Sequence, residues 1–265
     1  MFHNLQRLFR YRALIHSLVT RELKARYRGS VLGFFWSFIN PLLLLLVYSF
    51  VFVVVLPGTH PPEIEPYALF MFCGILPWTW FSSSLTEAAN SLMAGGTLIK
   101  KVLFPAEILP IVSVLANMMH FFFGLPILLA FLIWFRPTIT VTEVLWFPVV
   151  VAVQLLFTLG LSLLLAALTV HFRDIKDILS NLLTLWFFAT PIIYPMHLAP
   201  GTISMAALNL NPFSHLAVSY QEILFYEGPF GHWKWLLALA AGSVLLFLLG
   251  YFLFDRLRDS FAEEV

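Results

Sequence analysis

Two ionisable side chains, Glu87 and His120, lie within or at the end of long uncharged stretches of this sequence. A carboxylate or an imidazole in such a setting can relay protons, so proton transfer is the first candidate chemistry. His120 has no acidic neighbour in its own stretch, so we expect an interhelical hydrogen bond from it rather than proton transfer. Glu87 lies close to Asn90, and the sequence fits both a functional carboxylate and an ion pair with a basic loop residue. No combination of residues indicates enzymatic catalysis.

Aromatic residues are more informative, because they make up 17% of the chain while charged residues make up only 11%. An aromatic face stacks on the C–H face of a sugar without requiring one hydrogen-bond geometry, which suits a conduit for a long carbohydrate. The alternative is that these rings face lipid. The candidates for the conduit lie inside or near the outer ends of the apolar stretches: Tyr48, Trp78, Trp80, Trp186, Phe187 and Tyr194.

Nucleotide and metal chemistry have no visible motif in this sequence. There is no glycine-rich phosphate loop ending in Lys-Ser or Lys-Thr, and no Cys/His cluster has metal-ligand spacing. We therefore expect no cofactor in this chain, and no binding of ATP or magnesium by it. The single cysteine, Cys73, excludes an intrachain disulfide.

The elements that position these residues are apolar helices, since 60% of the chain is hydrophobic. Long uncharged stretches predict an all-α polytopic membrane protein, and a helix of about 20 residues crosses the ~30 Å hydrocarbon core of a bilayer. We predict six transmembrane helices: 33–56, 67–86, 108–135, 144–170, 178–195 and 235–254.

Basic residues set the orientation of these helices. Thirteen of the fifteen Lys and Arg residues fall in segments on one side of a six-span topology, which predicts that both termini are cytoplasmic. The domain prediction is one transmembrane domain over residues 1–265. It comprises a cytoplasmic helix (1–30), five spans (31–195), an outer segment (196–232) and the last span with its tail (233–265).

The N-terminal 30 residues have an amphipathic pattern. Leu8, Tyr11, Leu14, Ile15, Leu18 and Val19 share one side of a helical wheel. The opposite side carries Arg10, Arg21, Lys24 and Arg28. We expect a helix lying on the cytoplasmic face of the membrane, with its cations toward anionic lipid headgroups. The alternative is an ordinary basic flank before the first span.

The outer segment contains a further helix, because apolar residues recur at helical spacing between Pro212 and Tyr226. This helix is too short to cross the bilayer. A re-entrant hairpin before the last span is our interpretation, and a helix lying flat on the outer surface is the alternative.

Two inner loops have the composition of a protein-binding surface. The segment from Gly95 to Pro105 predicts a short helix that presents Lys100 and Lys101 together with the apolar residues Leu98, Ile99, Val102 and Leu103. A loop that only reversed the chain would not need exposed apolar side chains. A second charged loop, His171 to Asp177, lies on the same predicted side.

Several motifs together resemble the transmembrane subunit of bacterial ABC-type polysaccharide exporters. They occur in the expected order over essentially the whole chain. The motifs are Arg21 to Gly33 followed by Trp36 and Asn40-Pro41, Leu98 to Pro110, Phe172 to Ile175, Thr190 to Pro195, and Asn211-Pro212.

The resemblance implies a homodimer in the bacterial inner membrane, bound to a separate ATPase subunit that holds ATP and magnesium. The dimer would export a lipid-linked polysaccharide such as O-antigen, capsule or teichoic acid, with no nucleic-acid partner. The helix at 1–30 would lie at the membrane interface. The ATPase would contact the coupling segment, namely Thr97, Leu98, Ile99, Lys100, Lys101, Val102, Leu103 and Phe104, and also Arg173 and Asp174. Gate helices at the outer mouth would include Pro212, Phe213, Tyr220 and Phe225.

Two other functions fit the sequence. One is an ABC exporter of the same fold that moves a drug or a small lipid. The other is a secondary transporter or membrane scaffold without an ATPase, although a proton-coupled transporter would show several acids at mid-depth. Copurification of a nucleotide-binding subunit distinguishes the second from the exporters.

Overall fold

The protein is helical throughout the part described by its computed structural model, residues 11–55, 64–100, 104–135, 141–196 and 201–264. No β-strand occurs in those ranges, so the prediction of an all-α fold is confirmed. The helices are α1 (Arg12–Arg26), α2 (Trp36–Ser49), α3 (Tyr67–Ala94), α4 (Gly96–Ile99), α5 (Ile108–Phe135), α6 (Val141–His171), α7 (Ile175–Phe188), α8 (Gly201–Leu210), α9 (Pro212–Leu224), α10 (Trp233–Leu257) and α11 (Phe261–Glu264).

Four of the described helices, α3, α5, α6 and α10, are long and apolar enough to cross a membrane. The other two predicted spans coincide with α2 and α7, which have 14 residues each. At about 1.5 Å per residue such helices are about 21 Å long. A π-helical stretch, Phe50–Val55, lengthens α2. The structure thus supports the six-span prediction for four helices.

Helix α7 ends earlier than predicted, at Phe188 instead of Pro195. A proline disfavours helical geometry in the residue before it, and Thr190 precedes Pro191. The chain turns at this point, and Ile192 is completely buried beneath the turn.

Helix α3 lies at the centre of the bundle and has 19 of its 28 residues buried. It packs against α2, α5, α6, α7 and α9. It also extends to Ala94, beyond the predicted end at Thr86, because Ala88, Ala89 and Leu92 continue its buried face. Its core partners are mainly aromatic, and Phe81 contacts rings from three other helices: Phe157, Trp186 and Phe213.

Helices α6 and α10 approach so closely that glycine is required at their crossing. A Cβ added to Gly250 would lie 2.4 Å from the carbonyl oxygen of Gly160. A Cβ added to Gly160 would lie 2.8 Å from the backbone nitrogen of Phe247. Small residues allow this backbone contact, which is common between membrane helices.

Helix α1 packs through its apolar side against the start of α5. Leu18 is buried in a cluster with Ile108 and Val112, and half-buried residues surround it: Tyr11, Leu14, Ile15 and Val19. The basic side chains predicted for the other face, Arg21, Lys24 and Arg28, are exposed. The amphipathic pattern is thus present in the described part of this segment, while Arg10 lies outside the described residues.

Candidate functional site

A polar network joins α1, α3 and α5. Arg26 forms an ion pair with Glu87. Its other guanidinium nitrogen donates to Asn117 Oδ1 at 3.1 Å. The amide of Asn117 donates to Glu87 Oε2 at 2.7 Å. Of the two roles that the sequence left open for Glu87, the structure shows an ion pair, although its partner Arg26 lies at the end of α1 and not in a loop.

The expectation for His120 is met in part, because it hydrogen-bonds to a residue that directly follows α1, while its buried Nε2 has no hydrogen-bond partner among the described residues. Its Nδ1 lies 3.1 Å from the hydroxyl oxygen of Tyr27, which also accepts a hydrogen bond from Ser37 at 2.7 Å. These residues and Trp80 line a cavity of about 380 Å³ between α2, α3 and α5. The network and this cavity connect the N-terminal helix to the centre of the bundle.

A second cavity, of about 420 Å³, is a groove between α3 and α7. Hydroxyl groups dominate its walls, and two aromatic rings lie in it. The lining includes Ser82, Ser83 and Thr86 from α3, Ser180 and Thr184 from α7, and the rings of Trp78 and Phe187. Reasoning from the sequence identified the two rings but missed the hydroxyl groups, although their helical spacing on α3 was visible.

The structure brings three of the six aromatic candidates together. The Trp78 ring centroid lies 6.3 Å from that of Trp186 and 5.7 Å from that of Phe187. Trp78 is nonetheless only 7% exposed, so it is mainly a core residue that also borders the groove.

The remaining aromatic candidates lie apart from that cluster. Trp80 is 2% exposed and donates to the carbonyl of Val114 at 3.2 Å. Tyr48 is half-buried and packs against the core. The Tyr194 hydroxyl donates to the carbonyl of Phe188 at 3.3 Å.

The predicted helix in the outer segment is present as α9. Asn211 caps it by accepting a hydrogen bond from the backbone N–H of Phe213 at 3.0 Å, with Pro212 in the first turn. The same Asn211 oxygen accepts from Trp186 Nε1 at 2.7 Å, and its amide donates to the carbonyl of Ala189 at 3.1 Å. Asn211 therefore ties the end of α7 to the start of α9.

The aromatic residues predicted for the gate point mainly into the core. Phe213 and Tyr220 are completely buried. Phe225 is half-buried, and its ring centroid lies 5.5 Å from that of Phe70. These side chains hold α9 on the bundle, and the role of α9 as a gate remains a prediction.

Two histidines join α9 to the start of α10, and this pair was not predicted from the sequence. His215 Nδ1 lies 2.9 Å from His232 Nε2, and His215 Nε2 lies 2.9 Å from the carbonyl oxygen of Asn209. Glu222 accepts hydrogen bonds from the backbone N–H groups of Gly231 and His232 at 2.9 Å each. The pKa of His232 is lowered to about 4, mainly by burial and to a smaller extent by the neighbouring His215.

The predicted coupling segment is helical only at its start, in α4. Thr97 and Lys100 are exposed. Leu98 and Ile99 are half-buried, and Ile99 packs against a cluster that contains Leu92, Phe254 and Phe261. Ile99 is therefore less exposed than expected, because the C-terminal α11 covers part of it. Lys101, Val102 and Leu103 lie outside the described residues, and Phe104 packs toward α1.

The two inner loops lie at the same end of the bundle, as predicted. The ring centroid of His171, at the end of α6, is 6.3 Å from that of Phe261, and Phe261 belongs to the cluster that covers Ile99. Arg173 and Asp174 are exposed in the turn before α7. Both loops therefore have exposed residues close to the cluster that contains Phe261.

Comparisons with known proteins identify the family to which this chain belongs. The family model described as ABC-2 type transporter matches residues 13–225. The chain is 45% identical over 266 residues to the O-antigen export system permease protein RfbA of Myxococcus xanthus, covering 100% of both sequences. It is 33% identical to the protein of that name from Klebsiella pneumoniae, over 99% of this chain and 98% of the relative. It is 22% identical to the polysialic acid transport protein KpsM of Escherichia coli, over 78% and 80% of the two sequences. The chain therefore belongs to the ABC-2 type transporter membrane family.

Proposed function

We propose that this protein is the channel-forming permease of an exporter that moves a lipid-linked polysaccharide from the cytoplasm to the outer side of the bacterial inner membrane. The observation that carries this proposal is the 45% identity, over the full length of both chains, to a permease named for O-antigen export. The 22% identity to a polysialic acid transport protein supports the same substrate class. We place both termini in the cytoplasm.

ATP hydrolysis takes place in a separate partner subunit, and two copies of the permease form the channel. The accessible surface formed by Thr97, Lys100, Arg173 and Asp174 is the proposed ATPase contact. Closure of the ATPase dimer moves this surface, and the motion reaches α3 directly because α4 follows it in the chain. The ATPase does work on the channel only by binding its two arrangements with different affinity.

The test is deletion of the gene in its host, followed by complementation with a tagged copy. We expect the deletion to remove surface polysaccharide, the tagged copy to restore it, and a nucleotide-binding subunit to copurify. Unchanged surface polysaccharide with a copurifying ATPase would indicate the drug or small-lipid exporter instead. Unchanged polysaccharide without an ATPase would indicate a secondary transporter or scaffold.

A further inference from the structure

Helix α3 leaves one face open, and that face is polar. The polar stripe consists of Thr79, Ser82, Ser83, Thr86 and Asn90, which fall on one side of the helix at spacings of three and four residues. Thr79, Thr86 and Asn90 are exposed, and the two serines are half-buried. At about 1.5 Å per residue the stripe is about 16 Å long.

Three hydroxyl groups of this region donate their protons within their own helices, which leaves their oxygens able to accept hydrogen bonds from other groups. Thr79 and Thr86 each donate to the carbonyl four residues earlier, at 2.9 Å. On α7, Thr184 donates in the same way to Ser180 at 3.1 Å. Since a hydroxyl oxygen has two lone pairs and one proton, each of these oxygens can still accept a hydrogen bond. Thr86 and Thr184 line the groove between α3 and α7, whereas Thr79 lines the cavity that contains Tyr27 and His120.

Charge within the groove is compensated, because the carboxylate of Glu87 on its wall is ion-paired with Arg26. The walls therefore suit a neutral ligand that donates many hydrogen bonds. Hydrocarbon cannot donate any, so lipid in this groove would leave the accepting capacity of these oxygens unused. Trp78 and Phe187 add apolar faces in the same groove, and a sugar ring offers both hydroxyl donors and an apolar C–H face.

We propose that the polar stripe, together with Ser180 and Thr184, is a hydrogen-bonding track for a neutral glycan chain, an inference that rests on the proposed function. Each sugar hydroxyl exchanges water for a protein hydroxyl, a net gain of only about 0.5–1.5 kcal/mol. Such contacts replace hydration without holding any one sugar in place, so the chain advances past them.

The test compares two triple variants in the complete exporter. The track variant is Ser82→Ala/Ser83→Ala/Thr86→Val. The control variant, Ser113→Ala/Ser243→Ala/Thr169→Val, makes the same chemical changes at hydroxyls that also donate within their own helices. We expect the track variant to lower surface polysaccharide per inserted protein at least about fivefold and the control to stay within about twofold. ATPase activity and copurification of the ATPase and a second copy should persist in both.

A second measurement detects the glycan directly. A photocrosslinking benzoylphenylalanine at position 86 should give adducts that carry glycan. The same group at Leu245, which is 68% exposed on α10, should not. Normal export by the track variant, or adducts at position 86 without sugar, would overturn the track while leaving the proposed function intact. Loss of the second copy or of the ATPase from the track variant would show a protein contact and overturn it as well. If the wild-type chain failed to restore polysaccharide export in the deletion strain, the proposed function itself would be contradicted.

Discussion

The Arg26 guanidinium is ion-paired with the Glu87 carboxylate, and this pair fastens α1 to the central helix α3. Asn117 of α5 donates to the same carboxylate, so three helices meet at one charged group. The side chains of Arg26 and Glu87 are 24% and 35% exposed. The contact therefore lies where a motion of α1 would be transmitted to the helix that borders both cavities.

Substitution Arg26→Leu should destabilise the protein. It leaves the partly buried carboxylate of Glu87 with only the Asn117 amide, and we expect the free energy of unfolding to fall by about 1–3 kcal/mol. Thermal unfolding of the purified protein in detergent measures the change. Arg12→Leu, at an exposed position on the same helix, is the control and should change stability by less than about 0.5 kcal/mol. Equal melting temperatures for Arg26→Leu and wild type would contradict a structural role for the pair.

Substitution Gly250→Ala should separate α6 from α10. The new Cβ would overlap the Gly160 carbonyl oxygen, which is backbone and cannot rotate away. The expected cost is about 1–3 kcal/mol of stability, measured in the same unfolding assay. Gly242→Ala lies on the same helix with no atom within 4 Å of its new Cβ, so it should be neutral or stabilising by up to about 1 kcal/mol. If both variants had the same stability, the close approach of α6 and α10 at Gly250 would be contradicted.

Lowering the pH should destabilise the junction between α9 and α10. The pKa of His232 is about 4 in the folded protein against 6.5 ordinarily, and burial also lowers the pKa of His215. The unfolded chain therefore binds more protons between those values, so stability is complete above about pH 6.5 and falls as the pH drops toward about 4. Burial raises the pKa of Glu222 above its ordinary value, so the folded protein takes up this proton before the unfolded chain does, which opposes part of the loss.

The measurement is the melting temperature at about pH 7.5 and about pH 5. His232→Gln should melt lower than wild type at the higher pH, but it should lose less on acidification, because one titrating imidazole has been removed. His16→Gln, exposed on α1, should keep the wild-type pH dependence. If the melting temperatures of His232→Gln and wild type fell by the same amount on acidification, the histidine pair would not be the cause of the acid destabilisation.

The sequence predicted the helices well because their signals are local. The uncharged stretch from Ile108 to Phe135 coincides with α5, and the apolar spacing after Pro212 identified α9. The partners of particular side chains were not predictable in this way. Glu87 and Arg26 are 61 positions apart in the chain, and His215 meets His232 only because α9 folds back on α10. The burial of Ile99 by α11 likewise depends on tertiary packing.

The coupling segment should be tested at Lys100 rather than at Ile99. Lys100 is exposed, so Lys100→Glu should leave the fold intact while weakening binding of the ATPase subunit. Ile99→Asp would also insert a charge beside Phe254 and Phe261, so it should lower stability and binding together. Copurified ATPase per permease, beside the melting temperature, separates the two effects. Arg12→Leu serves as the distant control, and full ATPase binding by Lys100→Glu would exclude this residue from the contact.

We expect the two neighbouring rings at the C-terminal end of α7, Trp186 and Phe187, to have different roles, one in structure and one in transport. Phe187 borders the groove, whereas the Trp186 indole donates to Asn211 at the junction with α9. Phe187→Ala should therefore lower polysaccharide export several-fold while the melting temperature falls by little and ATP hydrolysis by the complex persists. Trp186→Ala should lower the melting temperature, since it removes a half-buried ring together with the N–H group that donates to Asn211. Surface polysaccharide, ATPase activity and thermal unfolding, measured on the same preparations, test both expectations. Wild-type export by Phe187→Ala would show that this ring faces lipid and that stacking on sugars does not occur there.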